Sequence, residues 1–129
     1  LCKPDGVSNP DRYNWKITGT NRVNGQYKIG TSTTGSKVVI QQIHAYDAPP
    51  LVKILWETSS GGRIRALVKT DASGNNEQSY TMATGIPTGT KFWVKTTVKD
   101  GYLKLYYNGV KKVDHKINYW SNYGNYFKA

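Results

Sequence analysis

Apolar and polar residues alternate along most of the chain after its first 14 residues, in short runs separated by turn residues. Residues 51–57 place Val52, Ile54 and Trp56 at alternate positions. Residues 63–70 repeat the pattern, with basic residues between the apolar ones. Because successive side chains of a strand point to opposite faces, each run predicts a half-buried β-strand whose open side is polar and basic.

Two-residue turn signals connect three of these runs. Asp100-Gly101 and Asn108-Gly109 favour tight β-hairpins, so they predict a three-stranded meander. Its strands are expected at residues 92–99, 102–107 and 110–117. Further short strands are expected at residues 14–18, 26–29, 78–83 and 122–129. No segment carries an uninterrupted helical stripe, and about ten short strands predict an all-β fold, an antiparallel β-sandwich of two curved sheets in a single domain over residues 1–129.

The run at residues 37–46 is the least regular. Strict alternation puts Val38 and Ile40 on the same face as Gln42 and His44, which mixes apolar and polar side chains. A β-bulge, or a strand that is buried at its start and open at its end, resolves the conflict. Gln42 and His44 then share an exposed face, where an amide can donate to a carboxylate and an imidazole can move a proton. An ordinary surface pair has the same spacing, so the surroundings must decide between the two interpretations.

Charge narrows the range of partners. The 129 residues include 18 Lys and Arg against 8 Asp and Glu, which gives a net charge of +10. A surface this basic attracts polyanions, namely nucleic acid, an anionic membrane or an acidic polysaccharide. No apolar run approaches the length of a membrane span. With one cysteine, Cys2, no internal disulfide is possible, and two separated histidines do not predict a metal site.

The open sides of the strands carry cations that can hold negative groups and rings that can stack on flat surfaces. If these residues line one sheet, its members are Gln42, His44, Lys53, Arg63, Arg65, Trp93, Lys95, Tyr126 and Lys128. Sugar rings and nucleic-acid bases both fit such a surface. Each cation also suits a solvated strand face, and Trp93 and Tyr126 also suit the core or a sheet edge.

The order of several motifs resembles a known family. In chain order the motifs are Gln42-Ile43-His44, the stretches 47–53 and 62–69, Asp100-Gly-Tyr-Leu, Tyr107-Asn-Gly109 and Tyr126-Phe-Lys-Ala129. From Trp15 to Ala129 the chain is similar to the alginate lyases of polysaccharide lyase family 7. The Gln-Ile-His triplet and the terminal Tyr-Phe-Lys-Ala are the most specific parts. The resemblance implies a β-jelly roll whose concave sheet binds an acidic polysaccharide, alginate or a related polyuronate, and cuts it by β-elimination.

The resemblance also implies roles for individual residues. Gln42 would bond the C6 carboxylate of a uronate, and His44 would help to neutralise that carboxylate or take the C5 proton. These two are therefore the expected catalytic residues. The expected substrate-binding residues are Tyr126, Lys128, Lys53 and Arg65. No cofactor or metal is required by this chemistry.

The chain departs from the family pattern at both ends. Family members carry an Arg-x-Glu-Leu strand whose last residue would fall at Leu1. They continue beyond Ala129 with Gly-x-Tyr-x-Gln, whose Tyr is the catalytic acid. We therefore expect a jelly-roll domain without its first and last catalytic strands. It is either an internal segment of a longer enzyme or a domain whose missing strands are supplied elsewhere. Secretion, a monomeric state and endolytic cutting are also expected, the last from the loops at residues 31–36 and 71–76.

Two other function classes use similar surfaces. A non-catalytic, lectin-like sandwich that binds acidic polysaccharide would use the same cations and rings without needing Gln42 beside His44. A binder of single-stranded nucleic acid would exploit charge and stacking, but no recognition-motif signature is present. We therefore expect an acidic polysaccharide as the partner, with neither nucleic acid nor a membrane.

Overall fold

The computed structural model describes residues 14–30, 36–45 and 48–129, which form a sandwich of two antiparallel sheets. The strands are β1 (Thr20–Lys28), β2 (Lys37–Ala45), β3 (Ala48–Glu57), β4 (Arg63–Lys69), β5 (Glu77–Ala83), β6 (Lys91–Lys99), β7 (Tyr102–Tyr107), β8 (Val110–Lys116) and β9 (Asn125–Lys128). Short 3-10 helices lie at Ser59–Gly61 and Asn118–Trp120. Within these ranges no helix is both long and apolar enough to cross a membrane. The predicted antiparallel β-sandwich is confirmed.

Strand order brings together parts of the chain that are far apart in sequence. One sheet has the order β5-β4-β3-β2-β9 and the other the order β1-β6-β7-β8. The last strand, β9, therefore lies beside β2, and β1 lies beside β6. The meander of β6, β7 and β8 pairs in sequence order, as its two hairpin turns predict.

The core lies between the sheets and is filled by alternate residues from both. Ile54 and Ala66 from the five-stranded sheet and Val94 and Leu105 from the other are completely buried. Burying a large apolar side chain of this kind contributes about 1.5–3 kcal/mol, so the alternating pattern selects which face turns inward. The inward faces predicted for residues 51–57 and 63–70 are confirmed, since Trp56 and Val68 are also buried there.

The first strand differs from the prediction. Two short strands at residues 14–18 and 26–29 were expected, but the structure has one long strand, β1, and Trp15 makes only an isolated bridge to β9. The strand has few apolar residues, and Gly25 inside it resembles a turn signal. A side chain at Gly25 would overlap the ring of Tyr27, two residues along the same face. The glycine therefore makes room for a neighbouring ring and does not end the strand.

A partly buried polar link connects the two sheets at the edge formed by β5 and β8. The Tyr80 hydroxyl of β5 lies 2.7 Å from Nδ1 of His115 in β8. The other ring nitrogen, Nε2, lies 3.0 Å from the Tyr119 hydroxyl, which itself donates to the Lys69 carbonyl oxygen at 2.6 Å. Burial lowers the pKa of His115, while burial and the neighbouring Tyr80 and Asp71 raise the pKa of Tyr119 to about 12. The link is therefore neutral at ordinary pH.

Candidate active site

Five polar side chains meet where the end of β2 lies between β3 and β9. Gln42 is the register partner of Lys53 on one side and of Lys128 on the other. His44, two residues further along β2, is the partner of Tyr126. Directly opposed residues on one face have Cβ atoms about 4.5–5.5 Å apart. The structure therefore brings together all of the expected site residues except Arg65, and we call this group the β2–β9 patch.

The patch faces away from the core because β2 contains a bulge. The register with β3 shifts between Val39 and Gln41, so that Ile40 and Gln41 both turn inward and are 5% and 1% exposed. Of the two resolutions expected for the irregular pattern of this strand, the structure shows the bulge. The one extra residue moves Gln42 and His44 to the open face while the start of the strand stays packed.

Gln41 fixes the bulge from inside the core. Its Nε2 donates to the Tyr27 hydroxyl at 2.8 Å and to the Val94 carbonyl oxygen at 2.9 Å. Its Oε1 accepts from the Thr96 hydroxyl at 2.7 Å. Every hydrogen-bonding group of this buried amide except one lone pair thus has a partner on β1 or β6. The opposite sheet therefore holds the strand that carries Gln42.

A second buried amide, Asn125, holds β9 in place. Its side chain is fully buried and accepts a hydrogen bond from Nε1 of Trp120 at 2.9 Å. Its Nδ2 donates to the carbonyl oxygens of Tyr123 at 3.1 Å and Trp15 at 3.3 Å. Because Asn125 immediately precedes Tyr126, this network orients the short strand that supplies two members of the patch.

His44 is neutral at ordinary pH in this environment. Burial lowers its pKa most, and the positive charges of Lys128 and Lys53 lower it further. Its ring stacks against that of Tyr126, with centroids 5.6 Å apart and an angle of 22° between the planes. A neutral imidazole has a free lone pair on one ring nitrogen, so His44 can accept a proton. An anionic ligand near the two lysines would offset part of this pKa shift.

Arg65 belongs to a different cluster on the same sheet face. It is the register partner of Leu55, and its guanidinium lies against Glu57, with Nη2 3.3 Å from Oε2 and Nε 3.1 Å from Oε1. Arg63 donates to the same carboxylate through Nε at 2.6 Å. Burial alone would raise the pKa of Glu57, but the hydrogen bond from Arg63 and the charges of both arginines lower it overall. The structure therefore does not bring Arg65 next to Gln42, which sequence reasoning did not foresee.

The sequence contained a usable signal for this cluster. Glu57 and Arg63 flank the turn at Gly61-Gly62, and residues at such positions pair across a hairpin, as they do here. Strict alternation along residues 51–57 puts Glu57 on the face opposite Val52, Ile54 and Trp56. The strand β3 is also recessed, because Leu55 and Glu57 point to the open face yet are only 5% and 6% exposed. A recessed central strand is what a concave sheet produces.

Two residues expected on this surface lie elsewhere. Trp93 and Lys95 belong to β6, on the outward face of the four-stranded sheet. Their own strand pattern is as predicted, with Phe92 and Val94 buried at the alternate positions. The prediction that they share a surface with Gln42 is wrong because a strand's pattern fixes its faces but not the sheet it joins. Among the described residues, no three His, Cys, Asp or Glu side chains are grouped so as to hold a metal ion.

Comparison with known proteins relates this arrangement to one family. The sequence profile of the family described as Alginate lyase matches residues 6–129. No match was found among curated protein sequences. Among solved structures, the chain is similar to alginate lyase PA1167 from Pseudomonas aeruginosa, with a TM-score of 0.80 at 28% identity, covering 89% of this chain and 55% of that chain.

Two further structures show the same fold. A variant of family 7 alginate lyase A1-II′, solved in complex with the product GGG, gives a TM-score of 0.80 at 26% identity and covers 93% of this chain and 55% of that chain. Alginate lyase AlyC3 gives a TM-score of 0.76 at 17% identity, covering 88% of this chain and 58% of that chain. The chain spans little more than half the length of these enzymes and has their jelly-roll sandwich. Because the profile covers nearly all of the sequence, this protein belongs to the alginate lyase family.

Proposed function

We propose that this protein cleaves an acidic polyuronate, with alginate as the first candidate, by β-elimination. The reaction leaves an unsaturated uronate at the new end. The observation that carries the proposal is the β2–β9 patch, in which Gln42 lies between two lysines and beside a neutral His44. Membership of the family supports it. So does family 7 alginate lyase A1-II′, which at 25–26% identity has been solved with product GGG and substrate GGMG.

The reaction needs three things from the protein. The charge of the C6 carboxylate must be offset, a base must remove the C5 proton, and an acid must protonate O4 as the C4–O4 bond breaks and a C4–C5 double bond forms. The Gln42 amide donates to the carboxylate without carrying a charge, and Lys53 and Lys128 flank it with positive charge. These contacts strengthen as negative charge moves from C5 onto the carboxylate, so they stabilise the transition state more than the substrate.

His44 has the properties of the base. Its pKa is lowered, so its lone pair is available at neutral pH, and it lies two residues along the strand from Gln42. Tyr126, stacked on His44, holds the sugar in the adjoining position. On the family resemblance, the acid at O4 is a tyrosine that would follow Ala129.

Arg65 has a weaker claim to substrate contact. Its guanidinium is held by Glu57, so a uronate carboxylate would compete with an existing ion pair. We propose that Arg65 and Arg63 supply long-range attraction along the recess and that Lys53 and Lys128 make the direct contacts.

Endolytic cutting, secretion and a monomeric state complete the proposal. The recess along β3 supports binding within a long polymer chain, as endolytic action requires. Endolytic action was expected from the loops at residues 31–36 and 71–76, and residues 31–35 of the first loop lie outside the described residues. A polymer too large to enter a cell calls for an extracellular enzyme.

The test is the ultraviolet absorbance of unsaturated uronate ends, measured with alginate and glucuronan on the full-length protein. His44→Ala should lower the rate by about 10²–10⁴-fold, the usual contribution of a general base. Gln26→Ala is the matched control, because Gln26 is an exposed residue of the other sheet and its loss should leave the rate unchanged. If the unaltered protein binds both polymers without generating the absorbance, the lyase proposal fails and the lectin-like alternative replaces it.

A further inference from the structure

The outward face of the four-stranded sheet is strongly basic and lies on the side of the molecule opposite the β2–β9 patch. Strand register places its cations side by side across β1, β6, β7 and β8. We call this surface the outer basic face, defined by Arg22, Lys95, Lys99, Lys104, Lys111 and Lys116. Its residues pair in rows, such as Lys99 with Tyr102 and Tyr102 with Lys116.

Little negative charge offsets these cations. Among the described residues, the ion pairs on this face are limited to that of Lys111 with Asp114, at 3.0 Å. One further carboxylate, Asp100, lies in the turn at the rim. Mutual repulsion among cations disfavours the folded state, so an uncompensated cluster of this size has a cost that binding of an anion would relieve.

Aromatic rings lie between the cations. Trp93 and Tyr102 are 46% and 43% exposed, which is unusual for side chains of this size. The ammonium group of Lys95 lies 4.1 Å from the centre of the Tyr106 ring. The face thus alternates flat apolar surfaces with positive charge, the combination that a ring bearing a carboxylate can use.

Two hollows follow each other along this face. The first, of about 470 Å³, is lined by Arg22, Lys99, Tyr102, Lys104 and Tyr106, among others. The second, of about 280 Å³, is lined by Asn24, Trp93, Lys95 and Asn108 with Gly109. The contact between Lys95 and Tyr106 joins them, since each residue lines one hollow. Together they form an elongated depression that suits consecutive units of a polymer.

We propose that the outer basic face is a second, non-catalytic binding site for an acidic polysaccharide. The choice of polymer rests on the proposed function, since the opposite face is assigned to cutting a polyuronate. The two faces are separated by both sheets, so a segment bound on one cannot lie in the other. Binding on the outer face holds the protein on a polymer network and raises the local concentration of segments that reach the β2–β9 patch.

The test begins from a protein in which the β2–β9 patch is weakened by Lys53→Gln and Lys128→Gln. Anisotropy of a fluorescein-labelled alginate oligomer then reports binding at the outer face, at low and at physiological salt. Adding Lys99→Gln and Lys104→Gln should weaken binding by about tenfold, the combined effect of two exposed charge contacts. Tyr102→Ser, which leaves the charge unchanged, should weaken it further.

The matched control is Lys28→Gln with Lys91→Gln. It removes the same charge from the same sheet, but six residues along β1 from Arg22. If this control weakens binding as much as Lys99→Gln with Lys104→Gln, the attraction is diffuse and the site does not exist. If a single-stranded oligonucleotide binds tighter than the alginate oligomer, the partner is a nucleic acid and the proposal is overturned.

Failure of the proposed function would look different. In the protein with an intact β2–β9 patch, Lys99→Gln with Lys104→Gln should leave cleavage of short soluble oligomers unchanged and slow the cleavage of calcium-gelled alginate. A protein that binds the oligomer through the outer basic face but cuts nothing would refute the lyase assignment and support the second site. A protein that cuts gelled and soluble alginate equally well in both forms would refute the second site alone.

Discussion

Replacing Gln41 with methionine tests whether the core amide holds the strand that carries Gln42. Methionine has a similar length and no polar atoms that can replace the three hydrogen bonds of the amide. The change leaves the hydroxyl of Thr96, a residue only 1% exposed, without its acceptor at 2.7 Å. It also removes the donor to the Tyr27 hydroxyl and the Val94 carbonyl oxygen.

The expected loss can be worked from these contacts. A hydrogen bond contributes about 0.5–1.5 kcal/mol net, and a buried polar group left without a partner costs about 1–3 kcal/mol. The Tyr27 hydroxyl is only part-buried and can turn to water, so the Thr96 hydroxyl dominates. We expect Gln41→Met to lower the free energy of unfolding by about 2–4 kcal/mol. Thr96→Val alone should cost about 1–2 kcal/mol.

The double variant makes the reasoning falsifiable. With both Gln41 and Thr96 replaced by apolar residues, neither leaves the other unpaired, so the double loss should fall short of the sum by about 1–2 kcal/mol. Urea unfolding followed by tryptophan fluorescence measures the free energy of unfolding of both single variants and of the double variant. An unchanged slope of this free energy against urea concentration shows that two-state unfolding persists. The control Gln26→Met, at an exposed position, should cost less than about 0.5 kcal/mol. Additive losses, or a Gln41→Met cost under about 1 kcal/mol, would refute the reasoning.

Three further outcomes are expected. The fall of kcat/KM on the acidic side of its pH profile should report a His44 pKa below the usual value of about 6.5. Lys128→Met should move this acidic limb to higher pH, because it removes a positive charge that disfavours the imidazolium. Gly62→Ala should lower the free energy of unfolding by more than about 3 kcal/mol, or prevent folding, because the added Cβ would overlap the Ile86 carbonyl oxygen at a backbone φ of 102°. The free energy of unfolding should fall as pH drops below about 6.5, because burial lowers the pKa of His115 in the folded state and the unfolded chain then binds more protons. Urea unfolding should show a smaller fall of this free energy with pH in His115→Gln.

Each of these has its own control. A limb that stays in place in Lys128→Met would show that the lysine charge does not act on His44. Gly85→Ala is the control for Gly62, because Gly85 also has a positive φ, of 70°, but open space around its Cβ position. If both substitutions lower the free energy of unfolding equally, the loss comes from the positive φ alone and not from overlap with the Ile86 carbonyl oxygen. If the free energy of unfolding depends on pH identically in His115→Gln and in the unaltered protein, His115 is not the source of the loss at low pH.

Part of the candidate site was readable from local pattern alone. The polar and apolar faces of β3, β4 and β9 follow from alternation, so Lys53 and Lys128 could be assigned to open faces without a structure. The irregularity of β2 was also readable, because strict alternation would have placed Ile40 beside His44 on an exposed face, but only the structure shows that a bulge resolves it. The neutral state of His44 was not readable, because burial and two lysines on other strands produce it.

Neighbour relations between strands could not be read in the same way. Trp93 and Lys95 have the same alternation as the residues of the five-stranded sheet, yet β6 pairs with β1 and β7. Arg65 has the same pattern as Lys53, yet Glu57 holds it in a separate cluster. For β6 the deciding contacts are with strands that a residue's own neighbours in sequence do not identify, whereas for Arg65 the turn at Gly61-Gly62 offered a local signal through the pairing of Glu57 with Arg63.

By itself the sequence determined most of the strands, their inward faces and the basic residues on their open sides. These properties are local, since a two-residue period decides which side chains are buried whatever the strand pairs with. Only the tertiary structure decided that β9 lies against β2, so that Tyr126 stacks on His44, and that Gln41 reaches across the core to Thr96. Strand order and bulge position depend on packing between distant segments, and that packing exists only once the two sheets have closed on one core.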